Sequence, residues 1–132
     1  MDRIRHTFGK EERLCSTRII TELFDDGNIF HYSIFKVVWK ISTSKLPSPA
    51  QVAFSVSKRS FRKAVDRNLI KRRMREAYRK NKHILYQKLE DSGNQIAFII
   101  IMRSNEIPDY ITVETTMRSI INKLAGSLNK TD

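Results

Sequence analysis

Apolar residues recur along the chain at two different periods, and the switches between them divide it into six elements. Over residues 16–26, Ile19, Ile20, Leu23 and Phe24 fall at helical spacing. Ser16 is placed to cap the start of that helix, and Gly27 suits a left-handed residue past its end. Residues 35–41 are dense in β-branched and aromatic side chains that partly alternate with polar ones, which predicts a strand. Pro47 and Pro49 mark a loop over 42–50, and a second strand follows over 51–56, positioned to pair antiparallel with the first. The longest helical segment runs from Ala64 to about Lys82. At about 100° per residue, Ile70, Met74, Ala77 and Tyr78 share one arc of it, and Arg67, Asn68, Lys71, Arg72, Arg75 and Arg79 share the next. Residues 96–102 form a nearly continuous apolar run, the pattern of a central strand buried on both faces. A final helix over 112–125 carries Val113, Met117, Ile120, Ile121 and Leu124, with Gly126 as its stop. The order is helix, strand, strand, helix, strand, helix, with room for one extra short strand. That order predicts an α+β fold, a two-layer α/β sandwich.

At 132 residues the chain is long enough for one core, so a single domain over 1–132 is expected, with flexible ends over about 1–10 and 127–132. No apolar stretch approaches the roughly 20 residues that cross a bilayer, and the N-terminal residues lack the pattern of a secretory signal. A cytoplasmic protein with no membrane partner is the expectation. Cys15 stands alone and reads as a small, partly buried residue, while His6, His31 and His83 are too scattered for a metal site. The formal net charge is +11, and its distribution is uneven. Between residues 58 and 82 there are twelve basic residues against two acidic ones, and the rest of the chain contributes only +1. Charge concentrated in this way repels itself and attracts polyanions, because phosphates bound there release their counterions. Nucleic acid is the favoured partner over a membrane surface, since the basic helix has no Trp/Phe/Leu face left over from its core stripe.

The segment Phe54-Ser55-Val56-Ser57-Lys58-Arg59, followed by Ala64-Val65-Asp66-Arg67-Asn68-Leu69-Ile70-Lys71-Arg72-Arg73-Met74-Arg75-Glu76-Ala77-Tyr78-Arg79, resembles the signature of the bacterial ribonuclease P protein subunit. In that family a strand ending in Ser-Val-Ser-Lys leads to a helix bearing Ala-Val-x-Arg-Asn-x-x-Lys-Arg-x-x-Arg-Glu. The elements on either side also follow the family's order, so the resemblance covers about residues 13–128. It implies the ribosomal protein S5 domain 2-like fold, with a left-handed strand-helix-strand crossover that nothing in the residues themselves shows. It also implies a function: assisting a large catalytic RNA in removing the 5′ leader from precursor tRNA. In such an enzyme the catalytic centre and its Mg2+ ions belong to the RNA. The expected partners are that RNA and precursor tRNA, with no obligate protein partner. The residues agree from their own side, with no clustered carboxylates, activated cysteine or paired histidines for chemistry in the protein.

The resemblance implies two surfaces. The basic helix would contact the catalytic RNA through Arg67, Asn68, Lys71, Arg72, Arg75 and Arg79, approached by Lys58 and Arg59. Arginine forks suit phosphate oxygens, and residues on one arc can meet one RNA surface. A cleft between the first helix and the sheet would hold the single-stranded leader, with Phe24 and Phe35 stacking on bases and Arg13 beside them. Periodicity alone makes both phenylalanines core residues, so stacking and burial stay open for each. Ile20 and Val38 stand where family members often carry aromatics, which implies fewer stacks here. Asn68 is unfavourable in a helix interior and calls for a hydrogen-bonding role, and Asp66 reads as a cap or a neutralising charge. Trp39 reads as core, and Lys63 and Arg73 as solvated. A ribosomal RNA-binding protein, a DNA-binding regulator and a nuclease acting alone are the competing classes. The first would not need the Arg-Asn-x-x-Lys-Arg spacing, the second lacks a clear helix-turn-helix turn, and the third lacks a catalytic constellation.

Overall fold

The computed structural model describes residues 7–128. After a short 3-10 turn at Lys10–Glu12 come helix α1 (Thr17–Asp26) and strands β1 (Asn28–Tyr32), β2 (Phe35–Ile41) and β3 (Ala50–Ser55). Helix α2 (Ala64–Ser92), strand β4 (Ile96–Met102) and helix α3 (Tyr110–Ser127) complete the chain. The strands form one mixed sheet in the order β1-β2-β4-β3, so the fold is α+β as expected.

Strand β4 carries apolar residues on both faces, and the sheet buries it between two neighbours and two helical layers. It pairs antiparallel with β2 and parallel with β3, with α2 as the crossover. The expected antiparallel pairing of β2 with β3 is therefore wrong, because β4 inserts between them. Gln95, just before β4, ties the intervening loop in place by accepting from Leu46 N–H and donating to the carbonyls of Leu46 and Ser48. One sheet face packs Phe35, Val37, Phe98 and Ile100 against α2 and α3. The other packs Val38, Ala97 and Ile99 against Leu14 and Leu23. Trp39 lies against the larger core, half-buried.

Several element ends differ from the sequence reading. Ser16 does cap α1 as expected, accepting from Ile19 N–H. Gly27 has an ordinary φ of −71°, so left-handed backbone is not what calls for glycine there. A Cβ at Gly27 would collide with the Leu23 carbonyl oxygen and come within 2.9 Å of Val38 Cγ1. The left-handed terminus belongs to Gly93 (φ 74°), which ends α2 ten residues past the expected stop. Leu85 and Leu89 prolong the buried stripe of Ile70, Met74, Ala77 and Tyr78, and that added packing carries the helix onward. Gly126 lies inside α3, which is capped by Leu128, and α3 begins where Asp109 accepts from Thr112 N–H. Asp66 does not cap α2, whose N-cap is Lys63 without a side-chain bond. Cys15 is exposed rather than partly buried. Within the ends expected to be flexible, Phe8 packs edge-on against Tyr78 and Leu128 is buried; residues 1–6 and 129–132, His6 among them, lie outside the described part.

Candidate nucleic-acid interface

The buried stripe of α2 holds the helix against the sheet and so fixes where its basic arc points. Asn68 and Arg72 are exposed on that arc, with Lys71 and Arg75 half-buried beside them. Arg67 is partly committed to its own surroundings: its Nη1 donates to the carbonyls of Phe61 (2.8 Å) and Arg62 (2.9 Å). It thereby closes the loop over residues 56–63, which is pinned from inside by buried Val56 and Phe61 and by the Arg59 N–H donating to Ser57 Oγ. Lys58 and Arg59 stand exposed on this loop. Arg79 pairs with Glu76 (2.5 Å), which holds the Glu76 carboxyl below its usual range and places a carboxylate at that end of the arc. Arg73, read as solvated, instead donates to the Pro108 carbonyl and ties α2 to the loop before α3.

The residues expected to form two surfaces meet at one groove. Arg13 forms a parallel bridge to Val52 on the free edge of β3, and Leu14 N–H donates to the Val52 carbonyl. This places Arg13 across from Lys71 and Arg75 on a groove of about 380 Å³. Phe8 and Phe54 line the same groove, their ring centroids 5.9 Å apart, and the Arg13 guanidinium lies 5.7 Å from the Phe8 centroid. Neither aromatic was expected at the site. Phe54 opens the motif and could have been found from it, whereas Phe8 has no sequence signal. Three cations and two aromatics around one concavity can take a phosphate backbone and an unpaired base together.

The two other aromatic candidates separate cleanly. Phe24 is 58% exposed at the end of α1, open to a ligand but flanked by Asp25 and Asp26. Phe35 is 0% exposed within the core under α2 and α3, on the sheet face away from α1. Its assignment to the leader cleft is wrong, because the pleat that turns Val38 toward α1 turns Phe35 the other way. The same alternation puts Lys36 on the α1 face beside Ile101, with His31 opposite it on β1. The strand period alone places Lys36 on that face.

The family model for ribonuclease P matches residues 8–125. The chain belongs to the ribonuclease P protein family. It is 36% identical over 124 residues to the ribonuclease P protein component of Porphyromonas gingivalis, covering 92% of this chain and 90% of that one. It is 32% identical to the component from Chlorobaculum tepidum, over 82% of this chain and 76% of that one. Among solved structures, the ribonuclease P protein of Thermotoga maritima superposes with a TM-score of 0.67 at 22% identity, over 85% of this chain and 96% of that one. That of Staphylococcus aureus superposes with a TM-score of 0.68 at 20% identity, over 86% and 94%. The fold is thus that of bacterial ribonuclease P proteins. As a ribonuclease P protein component, the chain is one part of a ribonucleoprotein enzyme and has an RNA partner in the holoenzyme.

Proposed function

We propose that the basic arc of α2 binds the catalytic RNA of ribonuclease P, while the protein also holds the 5′ leader of precursor tRNA and so assists removal of that leader. The observation that carries the reading is the convergence of Arg13, Lys71 and Arg75 with Phe8 and Phe54 on one groove, continuous with exposed Asn68 and Arg72. Cationic side chains there track phosphates and the rings offer faces to unpaired bases. Exposed Phe24, on α1, is a further stacking position for the leader.

The hydrolysis itself is assigned to the RNA, which would also hold the Mg2+ ions. Among the described residues no group of three or more carboxylate, histidine or cysteine side chains is arranged to take a metal ion. Mg2+ would supply charge neutralisation and an activated water at the scissile phosphate, while this chain's residues bind and orient RNA. No helix among the described residues is long and apolar enough to cross a membrane, and the reading places the protein in the cytoplasm with its RNA. The test is reconstitution with cognate catalytic RNA and precursor tRNA. Processing should require the RNA, and the protein should favour a substrate with a leader several nucleotides long over one with none. Cleavage by nuclease-free protein alone, or a benefit independent of leader length, would overturn the proposal.

A further inference from the structure

The basic arc of α2 does not stop where the groove does. Lys82 and Tyr86 continue it about two and three turns beyond Arg75, within about 60° of Lys71 and Arg75 in projection at about 100° per residue. Yet Lys82 is 3% exposed, although it belongs to the basic run that dominates the charge of the chain. The N-terminal segment covers it. Lys82 Nζ donates to the Glu12 carboxylate and to the Thr7 carbonyl, and Tyr86 Oη donates to the same carboxylate at 2.5 Å. Glu12 in turn accepts from Gly9 N–H through its other oxygen, which closes the 3-10 turn. The segment that Lys82 secures is the one that carries Phe8 and Arg13 into the groove. At its far end the segment is held by Leu14, which is buried in the second core cluster and donates its N–H to the Val52 carbonyl, and by the bridge at Val52. Before that, besides the Glu12–Lys82 pair, it is held by the Gln51 amide donating to the Glu11 carbonyl and by the Phe8 ring contacts.

We propose that Glu12 and Lys82 are positioning residues for RNA binding, their buried pair clamping residues 7–14 so that Arg13 and Phe8 form the wall opposite Lys71 and Arg75. Neither partner touches RNA, since both are covered. This rests on the groove being an RNA site, as proposed above. Removing the ammonium leaves Glu12 an unpaired buried carboxylate, which returns to water by lifting the segment away. The main core of α2, α3 and the sheet needs no part of the segment except Phe8.

The experiment is a mutant cycle in the full chain with Lys82→Met, Arg13→Ala and the double variant, measuring affinity for the cognate catalytic RNA and for precursor tRNA in the holoenzyme across a salt series. Arg13→Ala should weaken binding to at least one of these RNAs by about tenfold and lower the salt slope by about one, as for the loss of a phosphate contact. Lys82→Met should show at least both changes on the same RNA, and the double variant should be no weaker than Lys82→Met alone. A structural role alone would lower the melting temperature without moving the salt slope. If Lys82→Met does not fold, Glu12→Ala/Lys82→Met, which leaves no unpaired charge, replaces it in the cycle. Wild-type binding by the clamp variant, or losses that multiply in the double variant, overturns the clamp. No effect of Arg13→Ala on either RNA overturns the groove reading itself, and the clamp with it.

Discussion

Arg67 and Arg72 stand five residues apart in one motif, and their structural surroundings predict different consequences for the same substitution. Arg67 Nη1 bridges the Phe61 and Arg62 carbonyls, whereas Arg72 is exposed. Hydrogen bonds to a charged group are worth about 1.5–3 kcal/mol each. Because one nitrogen of a half-buried side chain serves both carbonyls, we take the low end once, so Arg67→Ala should cost about 1.5 kcal/mol of stability. For a domain of this size that is a fall of about 6 °C in melting temperature. Loss of the bridge also frees the loop that holds Lys58 and Arg59, so cations beyond the substituted one lose their fixed positions. In a titration of the cognate RNA over a salt series, Arg72→Ala should reduce the slope of log Kd against log salt by about one at an unchanged melting temperature. Arg67→Ala should reduce it by about two to three, with the lower melting temperature. If Arg67→Ala melts with wild type, or its salt slope matches that of Arg72→Ala, the loop-organising role is refuted.

Phe24→Ala should leave stability within about 0.5 kcal/mol and reduce the affinity gained from a long leader by about 1–3 kcal/mol. Phe35→Ala should destabilise by about 3–5 kcal/mol, and thermal melts beside leader-length titrations separate the two. Gly27→Ala should destabilise by about 1–3 kcal/mol through its clash with Leu23 and Val38; a rise in melting temperature, the outcome its φ alone would suggest, would refute the contact argument. Burial raises the Glu12 carboxyl, but hydrogen bonds from Lys82, Tyr86 and Gly9 outweigh it and hold the group below its ordinary value of 4.5. The stability it contributes is therefore present above the unfolded value and lost as pH falls through the folded one. Protection of the amides of residues 8–14, taken relative to their intrinsic exchange rates, should fall in wild type as pH drops below the ordinary carboxyl value of 4.5, and in Glu12→Gln this pH step should be absent.

The periodicity of apolar residues determined most of the elements, and composition determined the ligand class. The buried stripe of α2, the two-sided burial of β4 and the basic arc all follow from spacing, because local geometry alone decides which side chains share a face. Strand partners do not. β2 and β3 are neighbours in sequence yet lie on opposite sides of β4, since a strand apolar on both faces is best buried at the centre. β1 is short and mostly exposed, so its residues carry little pattern, and only its pairing with β2 makes it a strand. The site divides in the same way. The exposed positions Asn68 and Arg72 were legible in the motif, but burial of Phe35 and exposure of Phe24 depend on which layer covers which face of the sheet. The groove depends on contacts between residues far apart in sequence. Arg13 faces Lys71 across the groove only because the N-terminal segment adds to the β3 edge, and Lys82 turns from a surface charge into a buried one only because Glu12, 70 residues earlier, lies over it. A charge has the same local signature in water as in a buried pair, and only the tertiary structure supplies the partner that distinguishes them.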